Sequence, residues 1–180
     1  MTIFDKTFKE ILIFQIISIL GGLIVGTILA VYTDKIFIIP SMLIIIPGIL
    51  QMRENISGSF ASRLSSGLFL KVIKPNKTQT RIIKGNLYAS FFLAILTSLM
   101  IGLIAFFFNY LFTHIILFKI IMIPLIAGII ANTIEIPLTL FTTLYLFKKG
   151  YDPNNIMGPF VTSTGDIISI LSILITMMII

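Results

Sequence analysis

Five long apolar segments fill almost the whole chain, and they restrict its fold more than any other sequence feature. About 20 consecutive apolar residues are needed to cross the roughly 30 Å hydrocarbon core of a bilayer. The apolar residues run continuously instead of alternating with polar ones, so the segments predict helices and not barrel strands. We predict five transmembrane helices, at residues 9–31, 36–70, 87–108, 120–147 and 157–180.

Composition supports an all-α membrane protein. The chain is 57% hydrophobic and 11% charged, with a mean hydropathy of +1.11, which lies far outside the range of soluble domains. We therefore expect residues 1–180 to form a single transmembrane domain. Cysteine is absent, which excludes a disulfide framework and a thiolate metal site. The net charge of +6 lies mostly in short loops, so we expect no nucleic-acid partner.

The distribution of basic residues predicts the orientation. If the N-terminus lies inside the cell, nine of the thirteen basic residues lie on the cytoplasmic side: Lys6, Lys9, Lys71, Lys74, Lys77, Arg81, Lys84, Lys148 and Lys149. Lys35 and Lys119 lie on the other side, and Arg53 and Arg63 lie within the second helix. By the positive-inside rule, we predict that the N-terminus is inside and the C-terminus outside. We expect the membrane to be the plasma membrane.

The second helix is too long for one straight span. Its 35 residues would extend about 52 Å as a continuous helix, so we expect a break or kink, most naturally at Pro47 and Gly48. After this point comes "SGSFASRLSSG", residues 57–67, which is rich in small residues. Such a stretch suits close helix packing, and its hydroxyl groups also suit a hydrated path.

Three acids lie inside predicted spans, where an unpaired carboxylate is costly. Glu54 and Asp166 have two interpretations: an internal salt bridge with Arg53 or Arg63, or a functional role. Glu135 precedes Pro137 and is either a hydrogen-bonded residue at a kink or a direct ligand.

Asp166 is the strongest candidate for a cation ligand. Helical spacing predicts a stripe of hydroxyl groups beside it, from Thr162, Ser163, Ser169 and Ser172. Oxygen-rich surroundings favour hard cations such as Mg²⁺ or Ca²⁺. The single histidine, His114, is predicted at the outer end of the third helix and not as a ligand. One aspartate per chain is a poor divalent site, so we expect a homodimer that brings two copies of Asp166 together.

Two stretches resemble the MgtE-type magnesium transporters and the related eukaryotic magnesium solute carriers. "DPNNIMGPFVTSTGD", residues 152–166, is similar to the last-helix motif of the MgtE type. "PGILQMRENISGSFASRLSS", residues 47–66, resembles the second-helix motif of the carriers, with Pro47, Asn55 and residues 61–65 at matching positions. A membrane domain of five helices with these orientations agrees with the resemblance.

The resemblance implies a Mg²⁺ pore at a dimer interface lined by helices two and five. It places Mg²⁺ on Asp166, assigns pore-lining roles to Asn55, Gly158 and Thr162, and makes Gly158 and Pro159 the opening that starts the last helix. Glu54 stands where the family usually has Gly. Only a few residues precede the first helix, so we expect no cytoplasmic N-terminal domain or CBS domains. The predicted metal site comprises Asp166, Asn55, Thr162, Gly158, Glu54 and Glu135.

The sequence leaves two function classes open. The first is a divalent cation transporter or channel, a homodimer or a pair with a sibling half. The second is a membrane subunit that packs against another transporter and does not conduct ions. An enzyme is not expected, because the chain offers one His, no Cys and no catalytic signature.

Overall fold

The computed structural model describes residues 6–39, 41–114 and 116–180, with the side chain of Lys6 excepted. Within these residues there are five long helices and one short one. They are α1 (Lys6–Val31), α2 (Thr33–Ile36), α3 (Met42–Phe69), α4 (Arg81–Thr113), α5 (Lys119–Lys148) and α6 (Pro153–Ile179). Each predicted span thus corresponds to a long helix, and α4 and α6 begin earlier than predicted.

Four of the long helices are long and apolar enough to cross a membrane within the described residues, namely those at 7–31, 81–113, 119–148 and 153–179. The remaining one, α3, has 28 residues, or about 42 Å of helix. It carries Arg53, Glu54 and Arg63, so its apolar character is weaker. That α3 is the fifth span stays a prediction, supported by its packing against α4, α5 and α6.

The break in the second predicted helix lies elsewhere than expected. The helix is interrupted between Ile36 and Met42, and α3 runs without interruption through Pro47 and Gly48. Pro47 is the sixth residue of α3, and its missing N–H removes only the backbone bond to the carbonyl of Leu43. Because that carbonyl lies in the first turn, the helix continues with little loss. The prediction of a break at Pro47 was wrong.

The last helix also begins earlier than predicted. Asp152 is its N-cap and accepts a 2.9 Å hydrogen bond from the backbone N–H of Asn154. Pro153 follows at the first helical position, where the missing N–H costs nothing. Gly158 and Pro159 therefore lie inside α6 and do not form an opening that starts it.

Helices α3, α5 and α6 pack against one another at the centre, with α1 on the outer side of α6 and α4 against α3 and α5. The centre contains fully buried apolar side chains from all three helices: Ile45, Ile49, Phe60, Leu64, Ala127, Ile136 and Val161. The outward faces of α1 and α4 are strongly apolar, as lipid contact requires.

Contacts along the helices give their relative directions. Ser41 bonds to Asn109 at one end of the α3–α4 pair, and Arg63 bonds to Asn86 towards the other, so the two helices are antiparallel. His114 ends α4 as its C-cap with φ of 55°, as its predicted place at a helix end requires.

Candidate functional site

Arg53 on α3 is the centre of a buried charge cluster. Its side chain is fully buried, and its Nη2 donates a 2.7 Å hydrogen bond to Oδ1 of Asp166 on α6. Nη1 donates a 2.7 Å hydrogen bond to the backbone carbonyl of Val161. Both contacts link α3 to α6 through one guanidinium group, whose planar fork suits several acceptors at once. Of the two salt-bridge partners considered for Asp166, the structure selects Arg53.

Asp166 lies at the midpoint of α6, 13 residues from Pro153 and 13 from Ile179, or about 20 Å from each end. Its side chain is 21% exposed. It reaches the surface of the chain in the middle of the bundle, at the depth where a charge costs most. Arg53 occupies one of its two carboxylate oxygens.

Glu135 on α5 completes the cluster. Its side chain is fully buried, and Oε1 lies 3.8 Å from Arg53 Nη1. The hydroxyl of Thr164 lies 3.5 Å from the same oxygen and donates a 2.7 Å hydrogen bond to the Phe160 carbonyl. Among the described residues, no protein group hydrogen-bonds Oε2. Helices α3, α5 and α6 thus meet at one arginine and two acids.

Gly165 makes the approach of Arg53 possible. A β-carbon at this position would collide with Nη1 and Cζ of Arg53. Any side chain at position 165 would therefore displace the guanidinium from α6. Sequence reasoning missed this role, although the glycine next to the intramembrane aspartate in "TSTGD" was a signal for it.

A second contact between α3 and α6 lies beside the cluster. Thr162 donates a 2.6 Å hydrogen bond from its hydroxyl to Oε1 of Glu54, and the same hydroxyl lies 3.1 Å from the carbonyl of Gly158. Three predicted site residues are therefore in contact. Thr162 is one helical turn from Asp166, and Glu54 is next to Arg53 in the sequence.

Asn55 points to the outside of α3. It belongs to a row of exposed polar side chains with helical spacing. Within this row, the side-chain amide of Gln51 donates a 3.2 Å hydrogen bond to Oδ1 of Asn55. On α6, Gly158, Thr162 and Asp166 share one face and are exposed or partly exposed. We call these two rows together the polar seam: Gln51, Asn55, Ser59, Ser62 and Ser66 on α3, with Gly158, Thr162 and Asp166 on α6.

The predicted hydroxyl stripe beside Asp166 is only partly present. Of its four members, only Thr162 bonds to a carboxylate of this site in the described structure. Ser163 packs against α1, where a β-carbon at Gly21 would lie 2.6 Å from its Cβ. Ser172 donates to its own helix at Ile168, and Ser169 is fully buried. The predicted stripe is incomplete because these four residues spread around α6 over a wider arc than the face that carries Asp166.

Arg63 has a different role from the one considered for it. It donates to Asn86 at 2.7 Å and to Ser90 at 3.3 Å, both on α4. Its charge therefore ties α3 to α4 near the basic end of the bundle.

No group of three or more His, Cys, Asp or Glu residues is arranged to hold a metal ion in the part of the chain that the structure describes. The acids of one chain, Glu54, Glu135 and Asp166, are divided between two contacts, and Arg53 offsets part of their charge. A divalent cation would need further oxygen ligands from water or from another chain.

Comparison with known proteins identifies the family. A sequence model described as "MgtE: Divalent cation transporter" matches residues 46–176, which include all of α4 and α5, most of α3 and α6, and every residue of the site. No curated protein matches, and no solved structure matches. The match covers well over half of the chain, so this multi-pass membrane protein belongs to the MgtE family of divalent cation transporters.

Proposed function

We propose that two copies of this chain pack their polar seams together and enclose a path for Mg²⁺. The polar seam is the observation that carries this proposal. It runs along the outside of the bundle at membrane depth, while the outward faces of α1 and α4 are apolar. Polar groups facing lipid are costly, so such a surface normally faces protein or water.

The composition of the seam suits a helix interface with a hydrated centre. Its serines and Gly158 are small, which allows helices to approach closely. Its hydroxyls, the Asn55 amide and the Asp166 carboxylate are oxygen ligands suited to a hard cation. A two-fold axis beside α3 and α6 would place each residue of the seam near its copy.

The proposed cation site combines residues of both copies. Asp166 supplies one carboxylate oxygen from each chain, and Mg²⁺ keeps several of its waters. Asn55, Thr162 and the carbonyl of Gly158 line the path and bond to those waters. Glu54 adds negative charge beside the path. Glu135 is fully buried and lies 3.8 Å from Arg53, and we propose that it acts on the site through that arginine.

The orientation follows from the basic residues. We propose that the chain lies in the plasma membrane with its N-terminus in the cytoplasm, because the basic segments at residues 71–84 and 148–149 then lie inside. Mg²⁺ would enter the seam from either end and reach Asp166 about halfway across the bundle.

The test is divalent cation flux into liposomes that contain the purified protein and an internal Mg²⁺ indicator. We expect wild-type protein to conduct Mg²⁺ and the Asp166→Asn variant to lose most of this flux. Asp34→Asn is the matched control, since it makes the same change at an exposed acid outside the bundle. Absence of wild-type flux would favour the alternative, a non-conducting subunit whose seam packs against another transporter. Flux that requires a co-expressed second protein would indicate a heteromeric pair.

A further inference from the structure

The contact between Arg53 and Asp166 has a consequence for which cation the site accepts. Arg53 is fully buried, and its Nη2 lies 2.7 Å from Oδ1 of Asp166. Nη1 is also held by the Val161 carbonyl and lies near Glu135. The guanidinium is therefore fixed by two hydrogen bonds to α6 and by an ion pair with Glu135 on α5, and its hold on Oδ1 does not depend on a single flexible contact.

The fit at Gly165 shows that this hold is specific. With any side chain at position 165, the guanidinium would lose the space that it occupies against α6. The glycine and the arginine are 112 positions apart in the sequence, yet the space left by the glycine is what admits the guanidinium. Within the described part of the chain, Arg53 holds Oδ1 of Asp166, so Oδ2 is the oxygen left to meet a cation.

We propose that Arg53 is a specificity-determining residue that makes Asp166 a one-oxygen ligand and thereby favours Mg²⁺ over Ca²⁺. This inference rests on the proposed function. Ca²⁺ takes six to eight oxygens and often binds a carboxylate through both of them, whereas Mg²⁺ takes six, keeps its waters and binds through one. A carboxylate with one oxygen held by a guanidinium cannot offer Ca²⁺ its bidentate contact.

The positive charge of Arg53 has a second effect in the same direction. It offsets part of the negative charge of Asp166 and Glu135, which lowers the attraction for any divalent ion. Conduction requires binding weak enough for release. A hydrated Mg²⁺ that binds through one oxygen per chain satisfies this condition.

Two variants release Oδ1 in different ways. Gly165→Ala displaces the guanidinium without removing its charge. The double variant Arg53→Met with Glu135→Gln removes one positive and one negative charge together, so it avoids an unpaired buried carboxylate at position 135. Gly22→Ala is the control, because a β-carbon at Gly22 in α1 meets nothing within 4 Å.

The measurement is the ratio of Ca²⁺ to Mg²⁺ flux in proteoliposomes loaded with indicators for each ion. We expect wild type and Gly22→Ala to share a low ratio and both test variants to raise it about tenfold, since the geometry of carboxylate contacts tunes Ca²⁺ affinity over decades. For a variant that conducts neither ion, the shift in melting temperature with CaCl₂ relative to MgCl₂ in detergent gives the same comparison.

The two proposals fail in different ways. If the wild-type protein conducts no divalent ion, the proposed function fails. If it conducts Mg²⁺ and both test variants keep the wild-type ratios in flux and in thermal shift, Arg53 has only a structural role and this inference is overturned. It is also overturned if the wild-type protein conducts Ca²⁺ as well as Mg²⁺.

Discussion

The hydroxyl of Thr162 donates a 2.6 Å hydrogen bond to Oε1 of Glu54 and joins the two helices of the polar seam. The two residues are 108 positions apart in the sequence. This bond holds a carboxylate at a fixed place beside the proposed cation path. The same hydroxyl lies 3.1 Å from the Gly158 carbonyl.

Removing that hydroxyl tests its contribution to transport. We expect Thr162→Val to reduce Mg²⁺ flux about tenfold or more, because a hydrogen bond to a charged group contributes about 1.5–3 kcal/mol and Glu54 would lose its position. Thr162→Ser keeps the hydroxyl and should retain most of the flux. Loss of flux in Thr162→Ser but not in Thr162→Val would show that the methyl group of Thr162, and not its bond to Glu54, supports transport.

The charge of Glu54 is tested separately. Glu54→Gln keeps an oxygen that can accept from Thr162 but removes the negative charge beside the path. We expect the Mg²⁺ concentration for half-maximal flux to rise, with a smaller effect at high ionic strength, because salt screens partly exposed charges. A variant with unchanged concentration dependence would place Glu54 outside the conduction path.

The proposed dimer predicts a specific cross-link. The chain has no cysteine, so single cysteines can be introduced without background. Asn55→Cys, in the polar seam, should form a disulfide-linked dimer on mild oxidation in membranes, since Cα atoms within about 7 Å can be bridged. Tyr88→Cys, which is exposed on α4, should remain monomeric. Cross-linking at Tyr88 and not at Asn55 would place the interface on α4.

The close packing of α1 on α6 predicts a difference between two adjacent glycines. A β-carbon at Gly21 would lie 2.6 Å from Cβ and 3.2 Å from Cα of Ser163. We expect Gly21→Ala to destabilise the protein by about 1–3 kcal/mol through overpacking, visible as a lower melting temperature in detergent. Gly22→Ala, which meets no neighbour within 4 Å, should leave that temperature unchanged or raise it. If both variants melt alike, α1 does not pack on α6 as described.

The orientation is testable with the same cysteine-free background. Asn76 lies in the loop between α3 and α4, and Ile116 lies in the loop between α4 and α5; both are exposed. In intact cells, a membrane-impermeant maleimide should label Ile116→Cys and leave Asn76→Cys unlabelled until the cells are permeabilised. The reverse pattern would contradict the positive-inside assignment.

Much of the fold could be predicted from local sequence properties. Apolar length identified all five long helices, since the cost of placing backbone in lipid depends on each segment alone. The pair Asp152 and Pro153 is typical of a helix start, and α6 begins there, four residues before the predicted start at residue 157. Pro47 led to a wrong prediction of a helix break, because a proline near the start of a helix does not necessarily break it.

Part of the candidate site could likewise be predicted from local sequence, and the rest depends on how the helices pack. The sequence by itself determined that Glu54, Glu135 and Asp166 lie in helical segments where an unpaired charge is costly, because burial of charge is penalised whatever its neighbours are. Only the tertiary structure decided that Arg53 forms ion pairs with Asp166 and Glu135. It also decided that Arg63 hydrogen-bonds to Asn86 and that Gly165 leaves space for the guanidinium. Helical periodicity gives the face on which a side chain lies, but its partner depends on which helices pack together and at what depth.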